Sequence, residues 1–212
     1  MLTLFMLMMQ RVGLIIILAF ILVNVSYFRR LVKADDTWAA KGILVLIFAT
    51  FAIISNLTGV EITSHNTLVS TTWLTGLPAT DSIANTRTLA ITVSGLVGGP
   101  IVGTTVGLIA GVHRVIQGNG SDLFYIFSSI IVGFLSGMIG NQYLKRNRYP
   151  SMMMSALIGL TMESVQMLFI FIFSGPGFTL VRLIFFPMMI LNSAGTAIFM
   201  SVISAYMRQE EQ

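Results

Sequence analysis

The sequence predicts an all-α, polytopic membrane bundle. In a chain of 212 residues, 55% are hydrophobic and 9% charged, and the mean hydropathy is +0.88. That is more apolar surface than a single soluble core can hide. The apolar residues also fall in runs that match the roughly 17–25 helical residues needed to cross a bilayer. A third observation is local: glycine recurs every fourth residue at Gly99, Gly103, Gly107 and Gly111 in an apolar stretch that ends in His113-Arg114. One helix face is thereby stripped of side chains, so that another backbone can approach it closely.

Seven apolar segments follow in order: 4–28, 42–60, 82–98, 100–117, 122–143, 151–174 and 178–207. The first lacks the basic n-region and small-residue cleavage site of a signal peptide and contains Arg11, so it reads as a retained membrane helix. The third and fourth are short and glycine-rich and are joined at Gly99-Pro100 with no polar loop between them. They are expected to form a tight hairpin that does not fully span. A hairpin contributes two crossings or none, so the count lies between five and seven helices and the topology of the other five is unaffected.

Lys and Arg set the expected orientation. Arg29, Arg30, Lys33 and Lys41 fall in the first loop, Lys145, Arg146 and Arg148 after the fifth segment, and Arg208 near the C-terminus. All three places share one side, which the positive-inside rule makes cytoplasmic, with the N-terminus outside the plasma membrane. Tyr27, Trp38, Tyr143, Tyr149 and Tyr206 then form an inner aromatic belt, with Trp73 and Tyr125 on the outer side. The formal charge of +4 reads as this topology signal and not as a nucleic-acid footprint. With no cysteine, and with only His65 and His113 as histidines, no metal site and no cofactor are expected.

Eight of the twelve basic residues are accounted for by the inner regions; the other four are Arg11, Arg87, Arg114 and Arg182. All four fall in the outer half of their segments. Each either snorkels to headgroups or needs a partner within the bundle. Ser94 and Gly98 follow Arg87, and Gly107 and Gly103 precede Arg114, at helical spacings of seven and eleven. These two arginines therefore sit on small-residue faces that point inward. The functional reading is an outward-open pocket for a small anion, because a guanidinium binds carboxylate or phosphate bidentately. Glu163 is the one acidic residue deep in a segment, with Gln166 three residues on and Asn192 at similar depth. It is either a structural clamp, paired with Arg11 or bonded to Asn192, or a sensing group.

These residues carry a resemblance. Gln10-Arg11-Val12-Gly13, Phe28-Arg29-Arg30-Leu31, Asn85-Thr86-Arg87, the block from Gly98 to Arg114, Glu163-Ser164-Val165-Gln166-Met167 and Pro187 to Ser193 resemble the five-transmembrane receptor region of LytS-type sensor histidine kinases. The resemblance covers essentially the whole chain. It implies a two-component receptor, homodimeric, that acts through a cytoplasmic kinase module on a LytTR-type response regulator, in control of autolysis, murein metabolism or carboxylate uptake. Some relatives are similar to sensors of pyruvate-like carboxylates.

The family's ligand arginines map by the same resemblance onto Arg87 and Arg114, with Asn85 and His113 beside them and Ser128 and Ser129 on the next helix. It makes 1–207 the transmembrane sensor domain and 208–212 the start of a linker to a GAF-like domain and kinase that these residues do not include. Neither histidine is placed to be a phosphoacceptor. Three other readings stand beside this one: a voltage sensor, in which each elementary charge moved contributes about 2.3 kcal/mol per 100 mV; the substrate-binding subunit of an energy-coupling-factor importer; and a purely structural scaffold.

The absence of cysteine makes topology directly measurable. With an impermeant maleimide on intact cells, His65→Cys is expected to label and Arg146→Cys to stay unlabelled; the reverse pattern inverts the assignment.

Overall fold

The computed structural model describes residues 2–24, 28, 37–63, 65, 67–70, 73–76, 78, 81–118, 120, 122–146, 148–175 and 177–209. Tyr27, Arg29, Arg30, Lys33 and 210–212 lie outside them. Helix α1 runs Leu2–Asn24 and α2 Trp38–Leu57. Three short strands follow, β1 Val60–Ile62, β2 Leu68–Val69 and β3 Ser82–Ala84. The chain then continues through α3 Arg87–Gln117, α4 Phe124–Leu144, α5 Met152–Phe173 and α6 Gly177–Gln209. Among the described residues, five helices, α2 to α6, are by length and composition apolar enough to cross a membrane, with α3 bent at Gly99, so the chain is a multi-pass helical membrane protein as the composition predicts.

The helix ends follow ordinary capping chemistry. Thr37 is extended (φ −79°, ψ 139°) and its hydroxyl accepts from Ala40 N at 3.4 Å. Ser151, also extended, accepts from Met154 N at 3.3 Å to start α5 directly after Pro150. Both satisfy an amide that the first turn leaves without a partner.

The antiparallel sheet was not expected. Its strand order is β2-β1-β3, with Val60 opposite Ala84 and Glu61 opposite Val69. The apolar run that begins at residue 82 therefore starts as a strand, and Arg87 is the first residue of its helix instead of lying one and a half turns inside it. A three-residue strand gives no periodicity of its own; its partner 22 residues back supplies the pairing.

Helix α3 is the centre of the fold, and it is not straight. Gly99 has φ 77° and ψ −172°, which favours a residue without Cβ. The chain reverses there. A straight helix would hold Arg87 and Arg114 about 40 Å apart, yet both guanidinium groups lie within 5 Å of one ring, that of Tyr125. A Cβ on Gly103 would come 2.8 Å from Gly95 Cα, so the two limbs, 87–98 and 100–117, touch backbone to backbone. At 1.5 Å per residue the limbs measure about 18 and 27 Å, against a hydrocarbon core of about 30 Å. This is the expected glycine-rich hairpin, re-entrant from one side.

Both limbs pack on α4. Gly103 meets Gly133, Gly107 meets the Ser129 backbone, Gly111 meets Tyr125 and Ile126, and Gly137 meets Pro100. From the first limb, Gly95 meets Ser136 and Gly137, while Gly140 meets Leu96. The second limb runs antiparallel to α4 and the first runs parallel to it. Hydrophobic burial scarcely separates helix from helix where the alternative is lipid. Close van der Waals contact between small residues is what remains to hold them.

The buried side chains form two main clusters. One gathers Leu4, Met8, Val60, Ile62, Ala84, Phe124, Tyr125, Ile170 and Ile184 at the sheet end. The other gathers Phe28, Leu44, Phe48, Leu96, Val102, Ile158, Phe199 and Ile203 toward the opposite end. At that second end Phe48 packs against Phe28, Phe51 and Phe199 with ring centroids 6.0 to 6.4 Å apart.

Replacing Gly107 with Leu is expected to drive a side chain into the Ser129 backbone. The cost is about 1–3 kcal/mol or outright loss of folded protein. Leu108, 43% exposed on the outer face, tolerates Ala within about 0.5 kcal/mol. Thermal unfolding of the two variants in detergent measures the difference; equal tolerance would mean that the glycine face carries no packing.

Candidate functional site

Tyr125 stands at the junction of the hairpin mouth and the first turn of α4. It was expected in an outer aromatic belt at the lipid interface. Instead it is buried, 4% exposed, with the Arg87 guanidinium 4.9 Å and the Arg114 guanidinium 4.8 Å from its ring centroid. Each cation on an aromatic face is stabilised by about 0.5–2 kcal/mol. The correction has a sequence origin: an aromatic one residue into an apolar helix looks like an interface anchor, and only the hairpin fold brings two cations onto it.

Both arginines are buried, Arg87 at 3% and Arg114 at 2% exposure. Among the described residues, Nε and Nη1 of Arg87 have no hydrogen-bond partner. Arg114 lies in the last turn of its limb, where the carbonyl ends favour a cation. Arg87 opens the other limb, whose first amides favour an anion. The hairpin thus presents two guanidinium groups and a helix N-terminus at one place.

A narrow cleft is lined by Ile83, Asn85, Arg87, Thr88, Arg114, Tyr125, Glu163, Gln166, Met167, Ile170, Ile184 and Met188. Glu163 reaches it from the middle of α5 and is fully buried. Its Oε2 accepts from Asn192 Nδ2 of α6 at 2.7 Å, while its Oε1 has no partner among the described residues. The Asn192 arm of the expected clamp is therefore present. Gln166, one turn further along α5, is 3% exposed, and its Nε2 is also without a partner there.

Asn85 lines the cleft but spends its side chain on structure. Its Oδ1 accepts from Arg87 N at 3.2 Å and its Nδ2 donates to Asn56 Oδ1 at 2.9 Å. Asn56 in turn donates to Ala110 O at 3.1 Å and stands 3.2 Å from His113 Nδ1. Gln117 Nε2 donates to Asn56 O and Leu74 O. This network ties the end of α2, the strand entry and both limbs together. His113 belongs to it and is not in the cleft wall.

Ser128 and Ser129 are buried behind Tyr125, outside the cleft lining. Ser128 donates to Tyr125 O at 3.2 Å, and Ser129 is spent on the close approach to Gly107. Arg182 is exposed, as a headgroup anchor would be, and Arg11 Nη2 donates to Ser70 Oγ at 2.9 Å. Neither lines the cleft.

Outside the helices, two carboxyl groups are held above the usual carboxylate range. Burial, and then the hydrogen bond and negative charge of Asp81, push the Glu61 carboxyl up. Burial pushes Asp122 up against the pull of Arg114.

The family described as 5TMR of 5TMR-LYT matches residues 25–206. The chain is 56% identical, over 215 aligned positions, to Sensor protein LytS of Enterococcus faecalis, covering 100% of this chain and 36% of that protein. It is 51% identical to Sensor protein LytS of Streptococcus mutans, covering 97% and 35%, and 48% identical to Sensor histidine kinase/phosphatase LytS of Staphylococcus aureus, covering 100% and 37%. The chain spans a little over a third of the length of these relatives. No solved structure matches it. The chain belongs to the five-transmembrane receptor family of LytS-type sensor histidine kinases.

Tyr125→Leu removes both cation–aromatic contacts and is expected to cost about 1–4 kcal/mol of stability, whereas Tyr125→Phe keeps the ring and most of that energy. Thermal unfolding of the three proteins is the measurement; a Leu variant as stable as the Phe variant would mean that the ring does not hold the guanidinium groups.

Proposed function

We propose that this domain is the signal-receiving part of a LytS-type sensor kinase and that its signal is a small anion bound between Arg87 and Arg114. The single observation that supports this reading is the pair of buried guanidinium groups on one ring, with Glu163 as the one carboxylate in the cleft wall. Two cations facing one anion in a water-poor site are left with an uncompensated charge, and buried charges are held by partners. A carboxylate supplies the missing charge and fits both forks.

In this reading the sheet end faces outward, which the distribution of Lys and Arg supports. The ligand enters beside the strands. The output passes along α6, which carries Ile184 and Met188 in the cleft wall and Asn192 on Glu163. From Met188 to the last residue of α6 the helix continues for about 30 Å, enough to reach the other side. There a cytoplasmic kinase module would receive the change and pass it to a response regulator, with a second copy of the chain completing a homodimer.

Removal of either guanidinium is expected to cost about 1.5–3 kcal/mol of carboxylate binding, or roughly 10–150-fold in affinity. Lysine should restore only part, because it keeps the charge and loses the planar fork. Calorimetric titration of the purified chain with small carboxylates and phosphate, in wild type, Arg87→Ala, Arg114→Ala and Arg182→Ala, tests this. Binding that is lost in the first two variants and kept in the third supports the cleft. Arg87 and Arg114 variants that fold and bind as tightly as wild type overturn it, and net uptake of the anion into proteoliposomes would favour a transport subunit instead.

A further inference from the structure

We infer that Tyr125 is a competitor built into the cleft: its ring takes the place at the two arginines that a bound anion needs, and it swings aside when an anion binds. The inference rests on the arginine cleft proposed above. That cleft has room for about one water molecule. A carboxylate or a phosphate is larger, so a side chain around the arginines has to yield before an anion reaches them. Tyr125 is the side chain that both arginines share. Their guanidinium carbons stand 4.9 and 4.8 Å from its ring centroid, and the residue is 4% exposed.

The ring meets the need that an anion would meet. Its face is negative, which is what draws a cation onto it. Arg87 Nε and Nη1 have no hydrogen-bond partner among the described residues, so the ring holds a guanidinium whose fork is still unused. One anion bonded to both forks lies at comparable distances from the two guanidinium carbons, as the ring centroid does. The motion required is small. The backbone of Tyr125 is fixed: a Cβ on Gly111 would come 2.9 Å from its O, its N donates to Asp122 O at 3.0 Å, and its O accepts from Ser128 Oγ at 3.2 Å. The side chain remains free to turn. An aromatic on a helix has two common χ1 wells, so one rotamer step takes the ring off the arginines. Because two cation–aromatic contacts are given up in that step, Tyr125 sets the anion concentration at which the receptor responds.

The probes are acetate and inorganic phosphate, titrated calorimetrically into the purified chain and its Tyr125 variants. Tyr125→Ala removes the negative face and the bulk, Tyr125→Leu removes the face and keeps much of the bulk, and Tyr125→Phe keeps both. Affinity is expected to fall in the order Ala, Leu, then Phe together with wild type. The Ala variant should bind at least about fivefold more tightly than wild type, since no contacts have to be broken. A ring that only positions the arginines gives the opposite order. The second readout needs no substitution: nitration of Tyr125 by tetranitromethane, followed by mass spectrometry, should be slow in the chain alone and faster at saturating probe. An anion that binds beside an unmoved ring would slow it.

If folded Tyr125→Ala protein binds no more tightly than wild type, or if saturating probe leaves nitration of Tyr125 unchanged or slower, the inference falls while the anion cleft stands. If Tyr125→Ala does not fold, Tyr125→Leu takes its place, and if neither folds, nitration decides alone. A probe that binds Tyr125→Ala and not wild type upholds the competition. If neither probe binds any folded protein of the series, or if binding ignores Arg87→Ala, the cleft reading itself fails and takes this one with it.

Discussion

The contact between the glycines of the α3 hairpin and the small residues of α4 is the constraint on which everything else depends. Gly95, Gly103 and Gly133 meet with backbones touching, and Gly107 lies on the Ser129 backbone. Without that approach the second limb could not run back beside the first, and Arg87 and Arg114 would sit at opposite ends of a straight helix. A membrane interior offers little hydrophobic reward for such packing. It is stabilised by dispersion between closely apposed backbones and by the absence of side-chain entropy to lose, since glycine has no rotamers.

The hairpin also decides where the cost of charge is carried. An arginine placed at the centre of an isolated helix costs about 2.5–3.5 kcal/mol on insertion. Here two are buried, each within 5 Å of the Tyr125 ring centroid. Part of the cost is offset by the Tyr125 face and part by Glu163 across the cleft. The chain spends further polar groups on rigidity around them. Asn85 caps Arg87 from behind, and Asn56, His113 and Gln117 lock the strand entry to the second limb. These contacts fix the positions of the two limbs around the arginines.

Much of this was legible in the sequence, for identifiable reasons. Apolar run lengths give the helices, and the four-residue glycine spacing with Gly99-Pro100 gives the hairpin, because both are local patterns. Arg87, Arg114 and Glu163 stand out because ionisable groups inside apolar segments are rare. What the sequence did not reveal depends on distant pairing. Residues 82–84 are too few to show strand alternation, and their partner lies at 60–62. Tyr125 read as a belt aromatic because its position one residue into α4 is where belts occur; its burial is set by α3. Ser128 and His113 sit near the arginines in the fold, but Ser128 donates to the Tyr125 carbonyl and His113 joins the Asn56 network, while Ser129 lies outside the cleft lining with its backbone against Gly107; residue spacing alone does not distinguish a wall from what lies behind it.

The same geometry links the cleft to the far side of the bundle. Helix α6 passes the cleft with Ile184 and Met188, grips Glu163 with Asn192, and packs its next turn on α5, where Ser193 donates to Ala156 O at 2.7 Å and Gly159 lies against Thr196. Pro187 stands between the first pair of these contacts, where it removes one backbone hydrogen bond and loosens the ladder. The Glu163–Asn192 bond and the contacts of Ser193 with Ala156 and of Thr196 with Gly159 fasten α6 to α5 over successive turns. Tertiary contacts of this kind respond to a ligand only through a difference in how the ligand holds two arrangements. Among the described residues, the Glu163–Asn192 bond joins the cleft wall on α5 to the helix that leaves it.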